Sequence, residues 1–241
     1  MTDRSTWPDV RGPVLRRSLS VGVATAAYGL SFGALGVAAG LDVTQTCAMS
    51  VLVFTGGSQF ALVGVLGGGG SALSGAASAV LLGSRNALYG ARLAPLLRVR
   101  GAQRIAGAQL VMDESTAVAL SAEEQGDRAG RLGFWATGLT VFVLWNLATL
   151  LGALAGRSVG DPRDLGLDAA APAAFLALLL PRLRDRTSWS IAVAAALVAT
   201  AAVPLVPAGV PVLVAALVPV VVVLRRRGED GDRRGMDGDP R

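Results

Sequence analysis

The sequence predicts an all-α polytopic integral membrane protein, with about six full transmembrane helices plus two broken or re-entrant helical segments; seven or eight spans is the alternative. Two observations carry that expectation. Arginines and acids gather in short clusters, and long, nearly uncharged segments run between them; the 52% hydrophobic content would alone fit a soluble domain equally well. The second observation is the stretch 53–98, VFTGGSQFALVGVLGGGGSALSGAASAVLLGSRNALYGARLAPLLR. It is apolar enough to lie in a bilayer, yet glycine beside polar side chains interrupts it at Gly56-Gly57-Ser58-Gln59 and at Gly83-Ser84-Arg85-Asn86. An arginine at membrane depth is costly unless it is paired or faces water. Helix breaks are tolerated there only where the freed backbone is buried in protein or lines a cavity. A solute site between broken helices satisfies both conditions.

The elements follow in order. Residues 1–17 carry Arg4, Arg11, Arg16 and Arg17 and read as a cytoplasmic N-terminal segment without the h-region of a signal peptide. The transmembrane domain is expected over 18–227. Its first apolar run, 18–40, carries Gly29, Gly33, Gly36 and Gly40, a small-residue stripe suited to close helix packing. Asp42 or Thr44 can cap the next helix. The second run, 46–66, breaks near Gly56-Gly57, and 67–70 is a glycine turn. The third run, 72–97, breaks near Gly83 and is followed by a basic loop with Arg98, Arg100 and Arg104. A fourth run, 105–122, carries Asp113 and Glu114 near its middle. After a charged loop comes a clean span at 132–155, then a mixed-charge loop at 157–168 and a short run at 169–181. Arg182, Arg184 and Arg186 precede a last hairpin, 190–206 and 209–224, around Pro207. Arg225-Arg226-Arg227 stops transfer, and the tail 228–241 is expected to be disordered.

The excess of arginine on cytoplasmic loops orients this plan. It puts the N-terminus, Arg128/Arg131, the loop 182–186 and Arg225–Arg227 in the cytoplasm, with both termini inside the plasma membrane. The loops at Asp42 and 161–168 then lie outside. The loop 98–104 agrees only if runs 71–97 and 105–122 are both re-entrant, and the re-entrant or strongly broken version is the expected one.

Composition removes several chemistries. There is no histidine and one cysteine, Cys47, so the usual zinc sites, Ser-His or Cys-His catalysis and an internal disulfide have no donors. Cys47 reads as an inert packing residue. No nucleotide-binding loop is present, so ATP cannot drive transport from this chain. The arginines are spread over membrane-flanking loops, which argues for lipid head groups and against nucleic acid. The chain is not expected to be an enzyme or to hold a cofactor; proton coupling is open.

Five segments carry a family resemblance: VFTGGSQFALVGVL (53–66), LLGSRNALYGARLAPLLR (81–98), VMDESTAVAL (111–120), GFWATGLTVFVLWNLATLLGALAG (133–156) and APAAFLALLLP (171–181). In this order the chain resembles the AzlC family, integral membrane permeases associated with branched-chain amino acid export, over roughly residues 15–225. Family members usually read asparagine-leucine-arginine where this chain has Gly83-Ser84-Arg85; the arginine matches and the asparagine does not. The resemblance implies efflux of valine, leucine, isoleucine or related amino acids. It also implies a small AzlD-type membrane protein as partner.

Such a substrate is a zwitterion with an apolar side chain. A half-helix beginning at Ser58 would aim free N–H groups and a positive dipole end at its carboxylate, with Gly57 allowing close approach and Gln59 beside it. The opposing reading is a glycine packing pair with a self-satisfied serine. Arg85, Tyr89 and Arg92 share one helical face at i, i+4 and i+7. Arg85 has the carboxylate or an internal acid as partner, and Arg92 can snorkel to the head groups. Ser84 and Asn86 are candidates for the site and equally candidates for helix caps. Asp113, on a face with Gln109 and Thr116, has three available roles: holding the ammonium, pairing with Arg85, or carrying a coupling proton. Glu114 is the weaker acid for a coupling or ion-pair role. Asn146 reads as a helix–helix hydrogen bond. Two other classes compete, a channel-like pore for another small solute and a non-transporting membrane scaffold. The buried charges argue against the scaffold.

Overall fold

The computed structural model describes residues 7–158, 176, 179–180, 183–207 and 209–225. Every regular element among them is helical. The helices are α1 Trp7–Ala38, α2 Val43–Leu52, α3 Gly57–Gly67, α4 Ala72–Gly83, α5 Arg85–Leu97, α6 Ala102–Gln109, α7 Asp113–Glu123, α8 Asp127–Ser158, α9 Arg186–Ala202 and α10 Val210–Ala215. Expectations for Arg4, the loop 161–168, most of 169–181, Arg182, Arg226, Arg227 and the tail 228–241 fall outside the described residues.

Two helices form the frame. α1 and α8 are each 32 residues, about 48 Å at 1.5 Å per residue. They are also the only described helices long and apolar enough to cross a membrane singly. They run parallel: Ser18 meets Thr137, Gly22 meets Thr140, Gly29 meets Trp145 and Gly33 meets Thr149. Glycine on both helices lets the backbones touch. A Cβ on Gly29 would lie 2.9 Å from the Trp145 carbonyl oxygen, and on Gly33 or Gly152 it would collide with the carbonyl of Thr149 or Leu30. Of the predicted small-residue stripe, Gly29 and Gly33 lie on this seam, whereas Gly36 faces Thr46 of α2 and Gly40 meets no heavy atom within 4 Å. α1 starts earlier than the apolar run alone suggests. Val10 and Val14, one turn apart, bury against Ala122 and Ala129, and that packing carries the helix through Pro13.

Between the frame helices the chain makes three excursions, each halted halfway. Call the end where α1 and α8 begin proximal, and the other end distal. α2 starts distally under an Asp42–Gln45 capping box. It descends antiparallel to α8, with Ser50 on Thr149 and then Phe54 on Phe142. There the chain reverses. Gly56 adopts φ +60°, and α3 climbs back until Gly67 lies beside Ala39. α4 then descends antiparallel to α3, Gly75 against Leu62 and Gly83 against Ser58. Through Ser84 it passes directly into α5, which ends proximally with Leu96 against Gly130. α6 rises from the proximal end to place Leu110 on Gly138. α7 falls back along α8, with Val118 on Gly133 and Ala119 on Gly130.

The molecule therefore has one re-entrant hairpin from each end, 43–67 and 102–123, and a kinked strut between them, 72–97. This corrects the assignment of a re-entrant segment to 71–97: the chain doubles back at 43–67 instead, and the segment expected at 105–122 doubles back where predicted. The third run does not reverse because Ser84 stays helical (φ −58°, ψ −27°) and its N–H still bonds the Val80 carbonyl. The second reverses because Gly56 takes a left-handed φ that a Cβ disfavours. The fourth reverses as predicted, at Met112, whose backbone is extended (φ −150°, ψ 176°). The loop 98–104 nevertheless returns to the proximal end, where Arg98 lies 3.7 Å from Asp127.

α9 and α10 pack on each other and leave apolar side chains such as Leu197, Leu205 and Leu217 exposed. Gly209, at φ +91°, lets their junction close on α3 and α4; a Cβ there would stand 2.6 Å from Val65 Cγ1. Both helices are shorter than a full span, so single helices do not establish the count of about six.

Candidate functional site

The three halts meet at one level. Gly57 and Ser58 open α3, Arg85 opens α5 and Asp113 opens α7. A Cβ on Gly57 would touch Arg85 Nη2 at 3.4 Å, and one on Gly83 would come within 3.1 Å of Ser58 Oγ. The first hairpin tip thus sits directly against the kinked strut.

Arg85 and Asp113 form an ion pair of 2.8 Å between Nη2 and Oδ2. The Tyr89 hydroxyl donates to the other carboxylate oxygen, Oδ1, at 2.7 Å. The side chains are only partly covered, 32% and 23% exposed, so the pair is neither sealed nor fully solvated. Its setting is electropositive. The N-termini of α3 and α7 each present a partial positive charge, and Arg85 adds a full one, which Asp113 balances. Of the three roles open to Asp113, the structure brings it to Arg85. Arg92 reaches Glu123 at 2.9 Å two turns along the same α5 face, so the face shared by Arg85, Tyr89 and Arg92 meets α7 throughout.

Other expected residues fall differently. Ser58 is buried at the tip, in the predicted first turn of a half-helix. Gln59 is fully buried but turns away from Arg85: its Nε2 donates to the carbonyls of Met49 and Ser50, both at 3.3 Å. Both carbonyls lie in the last turn of α2, and that of Met49 also accepts from the Val53 N–H at 2.9 Å. Asn86 is half-buried beside Arg85. Ser84 is no cap, since its hydroxyl donates back to the Leu81 carbonyl at 2.7 Å. Asp113 is the first helical residue, not the cap. Met112 holds the cap position, and Ser115 Oγ accepts its N–H at 3.2 Å while donating to the Leu110 carbonyl at 2.6 Å. Glu114 is half-buried in the same turn.

The face proposed for Gln109, Asp113 and Thr116 does not exist, because the chain breaks between the first two. Gln109 instead donates to the Val51 carbonyl at 2.7 Å, joining the two hairpin tips. Asn146 makes no helix–helix bond among the described residues; its Nδ2 donates to Phe142 of its own helix at 2.7 Å. Sequence reasoning missed the Gln109 tip contact, for which a glutamine ending a helical run is the only signal. No metal-binding group of His, Cys, Asp or Glu occurs among the described residues.

A family model described as AzlC protein matches residues 20–159. The match contains both hairpins, the strut, all of α8 and α1 from residue 20 onward, and hence the whole site. No curated protein and no solved structure matches the chain.

Proposed function

The chain belongs to the AzlC family of transport-related membrane proteins, and from that premise we propose that it exports branched-chain or similar hydrophobic amino acids as a secondary transporter. A small AzlD-type membrane protein is its partner in this reading, and the plasma membrane its location. The observation that supports it best is the Arg85–Asp113 pair at the level where two opposed hairpins and a kinked strut all halt. Opposed hairpins divide the path into a distal and a proximal half, which is what alternating access to one central site requires. The substrate carboxylate competes with Asp113 for Arg85 and takes N–H groups at the start of α3. Asp113, released from Arg85, keeps its Tyr89 bond. The apolar side chain packs on the aromatic groups behind Ser58.

The test is efflux from cells loaded with a leucine- or valine-containing dipeptide, with and without a co-expressed AzlD-type protein. Intracellular leucine or valine should fall with the wild-type chain. It should fall at least about tenfold more slowly with Arg85→Ala or Asp113→Asn at equal membrane abundance, the factor expected for losing one charged hydrogen bond of about 1.4 kcal/mol in the rate-limiting complex. Wild-type cells indistinguishable from empty ones, with the partner present, would overturn the branched-chain assignment.

A further inference from the structure

α5 and α7 begin together at the site, Arg85 beside Asp113, and both run from there to the proximal end. Two more arginines meet carboxylates further along this seam. Arg92 pairs with Glu123 at 2.9 Å, and Arg98, just past the end of α5, lies 3.7 Å from Asp127 at the start of α8. Exposure of the arginine side chains rises along the row, from 32% to 57% to 70%. Charges so open in a membrane domain face water rather than hydrocarbon, so the seam is a polar line from the site to the proximal face. Exposed ion pairs add little to stability and part easily. Behind them the closure is apolar. Leu93, one turn beyond Tyr89 on the same face, is fully buried, and Leu96 sits against Gly130.

Between Tyr89 and Arg92 stands Gly90. It lies in the interior of α5, and a Cβ on it would meet no heavy atom within 4 Å. Neither need that places glycine at Gly56 or Gly33 applies here: its φ is not left-handed and no neighbouring backbone presses on it. What remains is its effect on the helix, which a glycine weakens relative to alanine. Pro95, further along the same helix, removes one of its backbone hydrogen bonds. We propose that α5 hinges at Gly90, and that its end, residues 91–97 with Arg92 and Leu93, is the gate on the proximal side of the transport path. The Tyr89 bond to Asp113 keeps the part of α5 before the hinge in place. Arg85 also lies before the hinge, so the site keeps its geometry while the gate moves. The inference rests on the transport reading above and deepens it. That reading puts the substrate carboxylate on Arg85, and the hinge names the element that opens the way between Arg85 and the proximal face. With Arg92 on Glu123 and Leu93 buried, the gate is shut.

The test uses the full chain with Cys47→Ser in proteoliposomes. Leu93→Cys, buried behind the shut gate, should react with a small soluble thiosulfonate. Adding Gly90→Ala should slow that reaction about fivefold, the ratio set by the difference in helix propensity between glycine and alanine. Leucine counterflow by Gly90→Ala alone should slow by a similar factor. Its unfolding temperature should stay at or above that of the wild type, because the added methyl group meets nothing. A merely structural Gly90 would move stability and leave the rate alone. Arg92→Cys with Glu123→Cys, joined by a reducible bis-thiosulfonate, should lose exchange by at least about tenfold and regain it on reduction. If that double variant has no exchange before joining, Gly90→Ala decides alone. Suppose the wild type exchanges leucine but Gly90→Ala matches its rate, or the joined protein works as fast as the reduced one, or Leu93→Cys labels equally with and without Gly90→Ala. Any of these makes α5 a fixed strut, and the inference falls while the transport reading stands. If the wild type exchanges no leucine, both fall together.

Discussion

Arg85 illustrates how much one side chain's surroundings decide. Its charge at mid-depth is made tolerable by Asp113, and Asp113 is held in turn by Tyr89. Tyr89→Phe removes one hydroxyl and almost no volume. A hydrogen bond to an ionised group contributes about 1.5–3 kcal/mol when buried; with Asp113 partly open to solvent the low end applies. Efflux by Tyr89→Phe should therefore slow about tenfold, and no more than by Asp113→Asn. Wild-type rates for Tyr89→Phe would mean that the hydroxyl does not steady the carboxylate during transport. The pairing of Arg85 with Asp113 was legible in the sequence as one of three alternatives, because buried opposite charges seek each other. The role of Gln59 was not, because a glutamine's direction depends on where the preceding helix leaves its carbonyls. The reading of Asn146 failed for a related reason: its own helix offered a carbonyl one turn back.

Among the helices, the same residue type does two different jobs. Gly56 has no heavy atom within 4 Å of its would-be Cβ but sits at φ +60°. Gly33 is helical, and its would-be Cβ strikes the Thr149 backbone. Gly56→Ala should then cost only the strain of that backbone (φ +60°, ψ −87°), about 1–3 kcal/mol. Gly33→Ala must push α1 and α8 apart along a seam with no flexible side chain to yield, at about 3 kcal/mol or more. Thermal unfolding of the purified protein in one detergent should rank wild type, Gly56→Ala and Gly33→Ala in falling order. The reverse order of the two variants would refute the seam. The sequence advertised both positions as glycine among apolar residues, and periodicity marked the α1 stripe. What it concealed was which interruptions reverse the chain. Gly83-Ser84 has the composition of a break yet keeps its backbone bonds as a kink. At 110–112, LVM has no glycine or proline at all, and only the acidic pair that follows hints at a helix start.

At the scale of the whole molecule, the two hairpins and the strut account for the charge pattern without forcing any basic loop to the wrong side. The clusters at Arg11–Arg17, Arg98–Arg104 and Arg128–Arg131 all gather at the proximal end, where α1 and α8 begin, while the distal loop carries Asp42. From this excess of positive charge we propose that the matched domain lies with its proximal end inside. This arrangement makes a prediction about pairs of positions, which is stronger than one about single loops. In a Cys47→Ser background, introduce one cysteine at a time at four exposed sites: Thr44 and Gly68 flanking the first hairpin, Gln103 and Gln125 flanking the second. If both segments double back, the members of each pair lie on the same side. Thr44→Cys and Gly68→Cys should react with a membrane-impermeant maleimide in intact cells, and Gln103→Cys and Gln125→Cys only after permeabilisation. A segment that crossed would split its pair. Labelling of Gln103→Cys but not Gln125→Cys in intact cells would show that 102–123 spans. It would also remove the opposed hairpins on which two-sided access to Arg85 and Asp113 depends.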